Sequence, residues 1–79
     1  MRLLIIQYNL QSVSHYKNGD TTVWIIDPSE LENESFKACR PDLVIVSKNL
    51  ETEDQTRALR FAYQVTEYKN NNLQKVVLL

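Results

Sequence analysis

Cys39-Arg40-Pro41-Asp42-Leu43-Val44-Ile45-Val46-Ser47-Lys48-Asn49-Leu50 is the stretch that decides the fold. Leu43 to Val46 is a short, unbroken apolar run, mostly β-branched, introduced by a proline and closed by three polar residues. Runs of this kind, without apolar/polar alternation, mark strands covered on both faces, as in the centre of a parallel sheet. Three more flank it: Leu3 to Tyr8 with adjacent Ile5 and Ile6, Thr22 to Ile26, and Val76 to Leu79. Short strands separated by helix-length segments spell an alternating pattern. The expectation is a single α/β domain spanning residues 1–79, with three layers, about four mainly parallel strands and two to three helices.

Two connecting segments carry helix-start chemistry. Asp27-Pro28-Ser29-Glu30 offers a capping carboxylate, a proline at the first helical position and a glutamate three residues after the cap. This helix is expected to reach about Cys39, with Pro41 forcing Arg40 to be extended. Its apolar side is thin: Leu31, Phe36, Ala38 and Cys39. Thr52-Glu53-Asp54-Gln55 is a second capping-box pattern, followed at helical spacing by Ala58, Leu59, Phe61, Ala62 and Val65, with Asn70 to Asn72 available to end the helix. Leu10 to Asp20 admits two readings. Asn18-Gly19 is a hairpin signal that would pair Lys17 with Asp20, His15 with Thr22 and Val13 with Trp24. The rival is a short helix from Asn9 that stops at Gly19, supplying the dozen or so residues that a parallel crossover needs. The helix is the expectation.

Composition narrows the function classes. Nine Lys+Arg against ten Asp+Glu give a net charge of -1, so nucleic acid has no basic field to attract it. The one cysteine, Cys39, permits no intrachain disulfide and no cysteine-based metal site, which suits a reducing, cytoplasmic setting. The apolar run after Met1-Arg2 is too short for a membrane span or a signal segment. No Gly-x-Gly-x-x-Gly follows the first strand, and Gly19 is the sole glycine, so neither a phosphate-cradling loop nor a cofactor is expected.

The Cys39–Leu50 stretch, in which Arg40-Pro41-Asp42 leads into an apolar strand, resembles the third strand of response-regulator receiver domains. That resemblance implies a flavodoxin-like fold with a phosphoacceptor aspartate at the strand end and an acidic, Mg²⁺-holding pair after the first strand. Here Ser47 stands at the first position and Gln7 and Tyr8 at the second, so the implied phosphoryl chemistry lacks its residues. The stretch is also similar to the Pro-Asp-hydrophobic strand of cobalamin-binding domains, but no Asp-x-His-x-x-Gly surrounds His15.

In open parallel sheets, ligands bind beyond the carboxyl ends of the strands. That edge brings Asn9, Asp27, Ser47 and Lys48 forward as ligand-binding candidates, against the simpler reading that its acids cap helices. His15 with Ser12, Ser14 or Ser47 would make a catalytic base only if the fold joined them, and no catalytic residue is assigned. Cys39, at a helix end, reads as packing, and Trp24 as core. Arg57, Arg60, Tyr63 and Tyr68 form a mixed basic and aromatic helix face, while Val77 and Leu79 end an uncovered apolar strand. The expected function is a non-enzymatic protein-interaction or regulatory module, binding a larger protein or a second copy of itself. A small-ligand-binding domain is the alternative.

Overall fold

The computed structural model describes residues 1–66 and 76–79. The expected end of the second helix at Asn70 to Asn72, and Tyr68, lie outside the described residues. Among the described residues the chain forms β1 (Arg2–Ile6), β2 (Val13–Asn18), β3 (Thr21–Ile26), a 3₁₀ turn (Pro28–Glu30), α1 (Glu34–Lys37), β4 (Leu43–Val46), α2 (Thr52–Thr66) and β5 (Val76–Leu78). The strands make one mixed sheet in the order β2-β3-β1-β4-β5, parallel except for β2. It is an α/β domain, with five described strands where about four were expected.

The expected helix over residues 10–20 is replaced by a hairpin. Val13 to Asn18 pairs antiparallel with Thr21 to Ile26 across the two-residue turn Gly19-Asp20. Gly19 sits at φ +60 and Asp20 does not share a positive φ, the pattern of a type II′ hairpin turn. The pairing is Asn18 with Thr21, Lys17 with Thr22 and His15 with Trp24, two residues displaced from the hairpin register read from Asn18-Gly19 as the turn. A helix here would have buried little beyond Leu10, Val13 and Tyr16. As a strand the segment gains a full ladder, and His15 stacks on Trp24 with ring centroids 5.1 Å apart.

This substitution removes a layer. The steps β3 to β4 and β4 to β5 run in the same direction across the sheet, so right-handed crossovers place both helical segments on one face. The step from β1 to β3 runs the other way, and a helix within it would have covered the opposite face. Burial follows that geometry. Leu4, Ile6, Ile26, Val44, Val46 and Val76 share one face and form a single core with Leu31, Phe36, Leu50 and the inner side of α2. Their sequence neighbours on the other face, Leu3, Ile5, Val23, Ile25, Leu43 and Ile45, are only half-buried and lie outside that core. The described residues form two layers rather than three, and among them the core covers one face of the sheet only.

The helical segments also depart from their start signals. Asp27 caps as expected, accepting the Ser29 N–H at 2.9 Å with Pro28 at the first position, but the helix is a single 3₁₀ turn. Glu30 meets the side chain of Asn33 instead of reaching back, and Asn33 caps the separate four-residue α1. Of the expected apolar side only Leu31 and Phe36 are buried, a spacing that one continuous helix does not need to satisfy. Arg40 takes φ +50 rather than the extended conformation: Pro41 disfavours the right-handed helical region, and the chain turns through the left-handed one. Thr52 is the first helical residue of α2 rather than its cap, and Gln55 donates to the Ser47 and Lys48 carbonyls at 3.5 Å. The buried stripe is Ala58, Phe61, Ala62 and Val65; Leu59 flanks it half-buried instead of facing the sheet.

Two stability measurements check this architecture. Leu4→Ala, on the covered face, should cost about 2–5 kcal/mol in chemical denaturation, and Leu3→Ala on the open face less than half as much. Equal costs would mean that both faces are covered. A methyl group at Gly19 meets no atom within 4 Å, yet Gly19→Ala should lower stability by about 1 kcal/mol through its positive φ alone.

Candidate functional site

The carboxyl edge of the sheet is built by two separate polar clusters. Asn9 and Asp27 come together: the Asn9 backbone N–H donates to Asp27 Oδ1 at 2.9 Å, and Asn9 Nδ2 donates to the Ile25 carbonyl (2.9 Å) and Ser14 Oγ (3.0 Å). Asn9 Oδ1 accepts the Gln11 N–H, and Ser12 at φ +65 turns the chain into β2. These bonds tie the Gln7–Ser12 connection across the end of β3. The N–H groups of Asn9 and Ser29 hold the Asp27 carboxyl below its ordinary pKa.

Ser47 and Lys48 form the other cluster. Ser47 Oγ accepts the Asn49 N–H at 3.1 Å, and the Lys48 N–H donates to the Leu79 oxygen at 2.6 Å, while the Lys48 side chain is exposed. Beside them Tyr8 Oη donates to Asp54 Oδ2 at 2.7 Å and accepts the Glu51 N–H at 3.1 Å, joining the end of β1 to the start of α2. The Glu51 amide lowers the Tyr8 pKa, but the Asp54 hydrogen bond, desolvation and the charges of Asp54 and Glu51 together hold it above the ordinary value. No hydrogen bond or ion pair joins Asn9 and Asp27 to Ser47 and Lys48 among the described residues. The polar groups of this edge are largely spent on closing turns.

Two concavities lie elsewhere. A groove of about 330 Å³ between the 3₁₀–α1 segment and α2 has Leu31 and Phe61 as apolar lining, with Glu32, Lys37, Arg57 and Arg60 around it. Its cations are partly neutralised from within the chain. Lys37 lies 3.7 Å from Glu32 and 3.4 Å from Glu34, and Arg57 lies 3.3 Å from Asp54 and bonds the Pro28 carbonyl. A second hollow of about 280 Å³ runs along Arg2, Trp24, Phe36 and Cys39. Burial raises the Cys39 thiol's pKa, against a lowering influence of Arg2, as befits a packing residue rather than a nucleophile. His15 lies on β2, separated from Ser47 at the end of β4 by β3 and β1, so the fold does not join them. Ser14 points to the opposite face of the sheet from His15. Among the described residues no group of three His, Cys, Asp or Glu is arranged to hold a metal, and no helix is long and apolar enough to cross a membrane.

The residues singled out as a protein contact separate onto two sides. Arg60 and Tyr63 are exposed on α2, Tyr63 to 62%, whereas Arg57 is half-buried beside the buried stripe and bonds the Pro28 carbonyl. Val77 lies on the open face of the sheet in register with Ile45, and Leu79 continues the ladder by donating its N–H to the Val46 carbonyl. Sequence reading missed the larger feature to which Val77 belongs. From β2 to β5 the open face presents Ser14, Tyr16, Val23, Ile25, Ile5 and Ile45 without one charged side chain between them. Asn18-Gly19 was the available signal, because a strand at residues 13–18 leaves no helix to cover that face.

The acid response of Asp27 tests the first cluster. Its folded-state pKa lies below the unfolded value of about 3.9, so its contribution is complete above that pH and is lost as pH falls through the folded pKa. Asp27→Asn, which keeps one acceptor, should cost about 1 kcal/mol at neutral pH. The gap to wild type should close below about pH 4; a gap constant from pH 7 to pH 3 in urea titrations would show that the carboxylate's charge contributes nothing.

Compared with known proteins, the chain matches no family model, and no curated protein or solved structure matches it.

Proposed function

We propose that this chain is a non-enzymatic protein-interaction or regulatory module of receiver-like, flavodoxin-like descent that binds a larger protein or a second copy of itself. The observation that carries the reading is the uncovered sheet face. Parallel strands ordinarily have both faces covered, and among the described residues this sheet leaves a row of aliphatic side chains only partly buried across four parallel strands. A contiguous apolar surface on a small domain marks a contact site. Taken without β2, the strand order β3-β1-β4-β5 corresponds to the order 2-1-3-4 of flavodoxin-like sheets, which supports a flavodoxin-like origin for the sheet. In that frame the face lacking a cover is the one that the helix after the first strand would occupy. Ser47, in the phosphoacceptor place, closes a turn on Asn49, and Tyr8 bonds Asp54 and Glu51 instead of a cation. Those contacts favour a binding role over phosphoryl transfer. A reducing, cytoplasmic setting agrees with a single, half-buried thiol.

The contact surface can be assigned by comparing what wild type and two variants retain from cell extract. Ile45→Lys places a charge on the open face, and Arg60→Ala removes an exposed cation from α2. Ile45→Lys should abolish retention of any specific partner while Arg60→Ala leaves it intact. Retention that survives Ile45→Lys and is lost with Arg60→Ala would move the contact to the helix.

A further inference from the structure

We infer that the open sheet face is covered by a second copy of this chain, the two sheets packing face to face about a two-fold axis that passes close to β1. The inference rests on the interaction-module reading and names its partner.

Three observations point to a copy. Among the described residues the strands place no charged side chain on this face, although 24% of the chain's residues are charged. A second copy therefore meets it without desolvating an unpaired ion, whereas a partner surface with charges would leave them unanswered. The shape is also that of one half of a sandwich: an extended, mainly β-branched surface on a sheet, which a like surface covers at about 10 Å separation. Finally, the area is that of a weak, reversible homodimer. Five strands spaced about 4.8 Å apart, with about five residues each at 3.3 Å, give a footprint of roughly 400 Å². Two such faces make roughly 800 Å² before their rims are counted, below the roughly 1,200–2,000 Å² of stable specific interfaces, so the pairing should be populated only at high micromolar concentration. Tyr16, 58% exposed on β2, and Leu79, 65% exposed beyond β5, stand at opposite rims and extend the apolar area on both sides.

The position of the axis follows from symmetry. A two-fold pairing is isologous, each copy using the same patch. Since β1 is the middle strand of five, full overlap of the faces brings the central Ile5 of one copy near Ile5 of the other.

The test uses the full chain. Wild type should show the mass of two chains in size exclusion with light scattering at high micromolar concentration, and of one chain on dilution. Ile45→Lys should weaken association by at least about tenfold, equivalent to roughly 1.4 kcal/mol, while the far-ultraviolet circular dichroism stays that of wild type. In a Cys39→Ser background, Ile5→Cys should give a covalent dimer with a short bismaleimide, whereas Lys48→Cys should not. Should Ile5→Cys fail to fold, Leu3→Cys on the same strand and face takes its place. A wild type that stays one chain at high micromolar concentration overturns the inference, as does a dimer unaffected by Ile45→Lys or crosslinked through Lys48→Cys alone. A monomeric wild type whose retained partner is lost with Ile45→Lys refutes the second copy and leaves the interaction reading standing. A monomer with no partner sensitive to Ile45→Lys refutes both.

Discussion

Asn18 and Thr21 face one another across a turn of two residues, the first of which, Gly19, holds φ +60. An L side chain resists that conformation, so the turn depends on the chain's sole glycine. Closing it commits Val13 to Asn18 to a strand along the outer side of β3, and the connection from β1 to β3 is made within the sheet. Among the described residues no helix remains to lie over the second face. The two described layers, the one-sided core and the partly buried isoleucines all follow from this local choice.

The one-sided core has an energetic consequence. Fully burying an aliphatic side chain contributes about 1.5–3 kcal/mol, and Leu4, Ile6, Ile26, Val44, Val46 and Val65 each have less than 2% of their surface exposed. The side chains on the other face withhold part of the same contribution. A domain this small has little stability in reserve, so even the partial burial left undone on that face matters to it. On the proposed reading, association through that face recovers it, and binding and stability become two aspects of one surface.

The carboxyl edge of the sheet has a different character. Asp27 has three linked tasks: it caps the 3₁₀ turn through the Ser29 N–H, holds the Asn9 N–H, and so anchors the connection that crosses to β2. Tyr8 joins β1 to α2 in a comparable way. Polar residues clustered where a flavodoxin-like fold binds its ligand are here largely paired with one another and with backbone groups. The groove beside α2 likewise sets Lys37 and Arg57 against carboxylates of the same chain. The open face differs from both because none of its apolar groups has a described partner layer.

Much of the layout was legible in the sequence. The apolar runs at Leu3, Thr22, Leu43 and Val76 became β1, β3, β4 and β5, and the Ala58, Phe61, Ala62, Val65 spacing became the buried side of α2. Asp27-Pro28 marked its cap because a carboxylate and a fixed φ act locally, within three residues. By itself, then, the sequence determined which segments extend, which helix has a buried side, and where one cap lies. Tertiary structure decided whether residues 13–18 would be helix or strand, since local preference was nearly balanced and the ladder to β3 tipped it. It also decided that the unbroken apolar runs are covered on one face only. An apolar side chain reads the same in sequence whether it meets the core or an empty face; only the direction of each crossover settles which face a helix can reach.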